Sequence, residues 1–118
     1  MNMREFSERT KLSSHTLRYY EKIGLLNNVQ RNSSGHRVFT TKELDWVNFI
    51  IRLKETAMPL DTILHYSNLR ALGESTITAR KTLLEEHRHK LQSQIENQLQ
   101  HLNALETKID FYKAIEVS

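Results

Sequence analysis

The sequence predicts a mainly α-helical fold: a winged helix-turn-helix domain with a small β-hairpin wing, followed by one long helix that forms a coiled coil. Three observations lead there. Two short helical segments meet at a serine-containing turn near residue 12, a stretch rich in Asn, Ser and Gly follows at 26–40, and residues 74–118 contain neither Gly nor Pro. A run that long without breakers is too extended for an ordinary globular helix.

The first helix is expected from about Arg4 to Thr10. Ser13 then offers a hydroxyl to an orphan amide of the next helix, which runs to about Lys22 and closes near Gly24, where a left-handed cap is cheap. Leu12, Leu17 and Tyr20 form its apolar face and leave His15, Thr16, Arg18, Tyr19 and Lys22 to point elsewhere. Adjacent helix residues diverge by about 100°, so Tyr19 and Tyr20 cannot both be core; Tyr20 is expected inside.

Leu26–Thr40 alternates around Asn32-Ser33-Ser34-Gly35 and reads as a hairpin with Arg31 and Arg37 bracketing its tip. No Asp or Glu occurs from 22 to 42. So small a hairpin is marginal alone and must lean on the helices. A third helix begins at Thr41, with Leu44, Val47, Phe49, Ile50, Ile51 and Leu53 at helical spacing and Trp46 expected at the core's edge. Pro59 starts a fourth helix, with Asp61 complementing its dipole. Leu60, Ile63, Leu64 and Leu69 are expected inside, and Gly73 ends it.

The terminal stretch carries a heptad seam. One row is Ile77, Leu84, Leu91, Gln98, Leu105 and Tyr112; its companion is Lys81, Arg88, Ile95, Leu102, Ile109 and Glu116. A helix of ~40 residues is ~60 Å long, so its own domain covers only the first turns and the rest needs a partner. The expected domains are therefore 1–73 and 74–118, with Leu84, Leu91, Ile95, Leu102, Leu105, Ile109 and Tyr112 in the pairing face.

Charge divides along the same lines. Residues 1–60 hold ten Lys and Arg against six Asp and Glu, whereas 61–118 hold seven against eight. That imbalance suits a chain whose first half meets a polyanion. Cysteine is absent, which excludes disulfides and thiolate chemistry. No apolar run reaches the ~20 residues of a membrane span, and Arg4 and Glu5 interrupt any leader-like start, so a cytoplasmic protein away from membranes is expected. His87 and His89 face apart on a helix and do not chelate, so no metal site is expected. Neither a nucleophile–base constellation nor a phosphate-binding glycine loop is present, so neither enzymatic activity nor a cofactor is expected.

Leu17-Arg18-Tyr19-Tyr20-Glu21, then Gly24-Leu25-Leu26, Arg31, Gly35-His36-Arg37 and Val38-Phe39-Thr40 closely resemble the DNA-binding domain of the MerR family of bacterial transcription regulators. The likeness runs from Met3 to about Leu69, and the long helix is similar to that family's antiparallel dimerisation coiled coil. It implies a homodimer that binds a near-palindromic operator in double-stranded promoter DNA, distorts it, and acts on RNA polymerase through the promoter. His15, Thr16, Arg18, Tyr19 and Lys22 of the second helix, with Arg31, His36 and Arg37 of the wing, are the implied DNA-binding residues. Two other classes fit parts of the pattern: an architectural DNA-binding protein without promoter activation, and a coiled-coil interaction module.

Departures from the family pattern are informative. Lys11 stands at a turn usually held by Gly, and a left-handed conformation there costs ~1 kcal/mol. His36 replaces the usual Tyr. No cysteine stands where metal- and thiol-sensing members place ligands, and the separate C-terminal domain of drug-binding members is not expected. A small-molecule effector of unknown identity would then bind noncovalently. Its expected pocket joins Trp46, Phe49 and Tyr66 to the partner's helix end at Phe111 and Tyr112.

Overall fold

A computed structural model describes residues 1–118. Its elements are α1 (Met3–Thr10), α2 (Ser14–Ile23), β1 (Gln30–Arg31), β2 (Arg37–Val38), α3 (Thr41–Glu55), α4 (Leu60–Ala71), a 3₁₀ turn (Glu74–Thr76) and α5 (Ile77–Glu116). Two compact units result, Met1–Lys81 and Thr82–Ser118.

Local chemistry fixes the helix ends. The Asn2 side chain accepts from the Glu5 amide at α1, Ser13 accepts from Thr16 at α2, and Thr40 accepts from Lys42 at α3. Each such cap contributes ~1 kcal/mol by satisfying an orphan amide. Gly24 closes α2 at φ 91°, and its amide reaches back to Glu21 and Tyr20. Lys11 adopts φ 61° and ψ 22°, so the turn between α1 and α2 uses the left-handed conformation although a side chain is present.

The core of the first unit is built on Phe6, Leu17, Tyr20, Leu25, Leu26, Phe39, Val47, Ile50, Leu53 and Ile63, all nearly inaccessible. Burying each large apolar side chain contributes roughly 1.5–3 kcal/mol. Phe6 of α1 and Phe39 after β2 stack with centroids 4.1 Å apart, which ties the wing to the first helix. The Phe39 amide also donates to the Met1 carbonyl at 2.7 Å.

These ties matter because the strands are only two residues each, paired antiparallel as Gln30 with Val38 and Arg31 with Arg37. At the tip, Asn32 Oδ1 accepts from the Ser34 and His36 amides, and Gly35 takes φ 81°. The Asx-type bonds give the loop a fixed shape without a longer ladder.

Two core expectations need correction. Trp46 lies well inside, 6% exposed, because its Nε1 donates to the Leu25 carbonyl at 2.6 Å and draws the ring under the α2–wing connection. Leu60 is 40% exposed, since it opens α4 directly after Pro59 and its turn faces outward. Ser67 is buried instead and donates to the Gly24 carbonyl at 3.2 Å.

The boundary between units falls inside α5 and not at Gly73. Thr76 Oγ1 donates to the Leu69 and Gly73 carbonyls, and Arg80 donates to Thr76 Oγ1 and to the Gly73 carbonyl. The first turn of α5 is thereby stitched to the end of α4. From Ile77 to Glu116 α5 is one unbroken helix of 40 residues with no buried side chain. No helix is long and apolar enough to cross a membrane.

Candidate nucleic-acid interface

On α2, burial of Leu17 and Tyr20 turns the opposite face outward. His15, Arg18, Tyr19 and Lys22 are exposed there, at helical spacings that place them on one side. Tyr19 is 47% exposed and Tyr20 2%, the division expected of neighbours on an amphipathic helix. Thr16 is half-buried at the helix start, its hydroxyl accepting from Ser13 Oγ at 3.0 Å.

Between α2, the wing and the start of α1 lies an open cleft whose lining includes Arg4, Arg18, Arg31, His36 and Arg37. Glu5 is the one acidic residue among its lining side chains. Four guanidinium groups around one concavity make a surface that attracts polyanions, and Arg forks match phosphate oxygens in pairs. Arg31 spends one N–H on the Gly35 carbonyl at 2.8 Å, which aims the side chain along the tip and leaves its other donors available.

Arg37 is held differently. Its Nε and one terminal nitrogen donate to the same Glu21 oxygen at 3.1 and 2.9 Å, with both side chains only about a quarter exposed. In the free chain this guanidinium clamps the wing against α2 and is not extended toward solvent. Arg18 is left without that acidic neighbour, because Glu21 is taken by Arg37.

The cleft also contains a residue that the sequence reading missed. Arg4 has only an exposed ion pair to Glu8 at 3.5 Å, a weak restraint. Its inclusion depends on the Phe6–Phe39 stack, a contact across more than thirty residues with no local signature. The lone local hint was another cation in a basic first half. His15, Tyr19 and Lys22, by contrast, stand on the exposed face of α2 outside the cleft lining.

Of the residues expected to pair α5, Leu84 and Leu91 are half-buried, whereas Ile95, Leu102, Leu105, Ile109 and Tyr112 are about half exposed. The aromatic trio expected at an effector pocket is brought together, Trp46, Phe49 and Tyr66 lying with centroids 5.9–6.4 Å apart. The three rings fill one another's space. Trp46, with Arg70 stacked 4.3 Å over its ring, lines a cleft shared with Gln30, Lys42 and Ser67, whose lining does not include Phe49 or Tyr66. Phe111 and Tyr112 sit edge to face near the end of α5, beneath the Lys108 ammonium. No three His, Cys, Asp or Glu residues gather where they could hold a metal.

A helix-turn-helix with a basic wing, a cationic cleft where the two meet and a long helix beyond define a winged-helix DNA-binding regulator. Residues 1–69 match the model of the MerR HTH family regulatory proteins, and residues 44–110 match that of the MerR DNA-binding region. The chain belongs to the MerR family. It is a DNA-binding transcription regulator and not an enzyme.

An uncharacterized HTH-type transcriptional regulator of Haemophilus influenzae is 37% identical over 107 residues, covering 91% of this chain and 79% of the relative. The regulator AdhR of Bacillus subtilis is 32% identical over 91 residues, which are 77% of this chain and 65% of AdhR. Among solved structures, a MerR family regulator from Listeria monocytogenes matches with a TM-score of 0.89 at 35% identity, over 96% of this chain and 86% of that one. HiNmlR, a MerR family regulator that lacks the sensor domain and was solved bound to promoter DNA, matches with a TM-score of 0.84 at 34% identity, over 98% and 92%.

Proposed function

We propose that this chain acts in the cytoplasm as a homodimer on a near-palindromic operator in promoter DNA, distorts that DNA, and so alters how RNA polymerase engages the promoter. The cleft joining Arg4, Arg18, Arg31 and His36 carries this reading, because it sets phosphate-binding groups beside the exposed face of α2. His15, Thr16 and Tyr19 at that face are the candidates for base edges, while Arg18, Lys22, Arg31 and His36 hold the backbone. Arg37 orients the wing through Glu21 and is the contact most dependent on rearrangement. HiNmlR, similar along nearly the whole chain, binds promoter DNA without a sensor domain, which supports the same use here.

The apolar row of α5 supports the homodimer, since each copy offers the other the same exposed face. With no cysteine in the chain, an effector would act noncovalently, and the cleft beside Trp46 and Arg70 is its candidate site. The test is binding to operator duplexes across a salt series. Arg18→Ala and Arg31→Ala should each weaken binding to specific and nonspecific DNA alike and lower the log–log salt slope by ~1 per site removed. Unchanged slopes in both variants would remove the cleft from the interface.

A further inference from the structure

The cleft beside Trp46 shares no lining residue with the arginine cleft between α2 and the wing. Three parts of the chain wall it: the segment leading from α2 into β1, the start of α3 and the end of α4. Its volume of about 590 Å³ falls in the ~300–1,000 Å³ range of small-molecule sites.

The polar groups of the lining divide into spent and free. Trp46 Nε1 is spent on the Leu25 carbonyl, the Ser67 hydroxyl on the Gly24 carbonyl, and Gln30 Nε2 on the Asn28 carbonyl at 3.1 Å. Glu43, the one carboxylate of the lining, accepts from the Thr40 hydroxyl at 2.6 Å. The Arg70 guanidinium is half-buried, 4.3 Å over the Trp46 ring, and makes no hydrogen bond or ion pair within the chain. The Lys42 ammonium and the side-chain amides of Asn27 and Asn28 are equally uncommitted.

The free groups select a ligand chemistry. A guanidinium stacked on indole loses water from one face and keeps its N–H donors, which match the two oxygens of a carboxylate. Lys42 and Arg70 against Glu43 leave one net positive charge, which a single carboxylate balances. A dianionic phosphate would bring its second charge against Glu43. Leu26 and Ala71 add apolar surface beside the free amides.

We propose that this cleft binds a small organic monocarboxylate, held at its charged end by Arg70 and Lys42 and along its body by Leu26, Asn27 and Asn28, and that its occupancy alters DNA affinity through the wing. The proposal rests on the noncovalent effector proposed above and assigns its chemistry. Gln30 stands on β1 and Thr40 follows β2, so both feet of the hairpin border the cleft. A ligand that ties Arg70 of α4 to Asn27 and Asn28 restrains a wing whose strands are only two residues long. Carboxylate and duplex then change each other's affinity by one common factor.

Trp46 is the single tryptophan, so its emission reports the state of the guanidinium on its ring. The probes are benzoate and its uncharged isostere benzamide, titrated at ionic strength matched with sodium chloride. Benzoate should give a saturable change in emission in the millimolar range, and benzamide should bind at least about tenfold more weakly, the loss of one charge-assisted contact. Arg70→Gln should weaken benzoate binding to the same extent, read by calorimetry to separate binding from the direct effect on emission. Lys42→Gln and Asn28→Gly should each weaken it several-fold; Lys42 is exposed and Asn28 already has φ 59°, so both variants keep the fold if Arg70→Gln does not. Saturating benzoate should shift affinity for duplex DNA by about fivefold or more. Equal binding of benzamide and benzoate, indifferent to Arg70 and Lys42, overturns the carboxylate and leaves the cleft as an effector site. Charge-dependent benzoate binding that leaves duplex affinity unchanged overturns the coupling and the effector reading with it. No saturable binding of either probe overturns the site.

Discussion

The Glu21–Arg37 contact separates two roles for the wing arginine. Two nitrogens of Arg37 share one Glu21 oxygen at 2.9 and 3.1 Å, and each side chain is about three-quarters covered. Fully exposed pairs contribute ~0–1 kcal/mol, while hydrogen bonds to charged groups contribute ~1.5–3. Between those limits, Arg37→Ala should cost about 1–2 kcal/mol, because the two-residue strands have few other restraints. Glu21→Ala should cost a similar amount, and the double variant little more than either single one. The coupling in that cycle, read by urea unfolding at fixed protein concentration, should be about 1 kcal/mol. In DNA binding, Arg37→Ala should lower affinity with little change in salt slope, unlike Arg18→Ala. A coupling energy near zero, together with a slope that falls by ~1 per site, would show that Arg37 is a phosphate ligand and not a clamp.

Other expected outcomes follow from the same structure. Leu91→Asp combined with Leu102→Asp should abolish dimers in analytical ultracentrifugation, and a persistent dimer would remove α5 as the pairing element. Lys11→Gly should stabilise the fold by up to ~1 kcal/mol, since the φ of 61° then carries no side-chain strain; a destabilised variant would mean the lysine stem contributes packing. Trp46→Phe should cost about 1–3 kcal/mol, because the buried Leu25 carbonyl loses its donor, and thermal unfolding checks this. Operator binding should be indifferent to chelators, zinc, copper and thiol reagents, and a reproducible response in gel shifts would reveal a sensor outside the sites described.

Much of the fold was legible because its signals are local. The Ser13 cap, the Gly24 stop, the opposed faces of Tyr19 and Tyr20, and the Asn/Ser/Gly tip each act within a few residues. What escaped were contacts between distant parts of the chain. Trp46 is drawn inside by a carbonyl 21 residues away, and Glu21 selects Arg37 across 16 residues and not Arg18 on its own helix. Arg4 joins the basic cleft through the stacking of Phe6 on Phe39, which no periodicity reports.

In the proposed function, two copies of this chain bind one symmetric DNA site through α2 and the wing. The most direct measurement is selection of bound duplexes from a random pool, with native mass spectrometry of the complex on the enriched sequence. An inverted repeat occupied by two copies is expected, with enrichment lost in Arg18→Ala. An asymmetric site holding a single copy, or a pool that shows no enrichment, would contradict it.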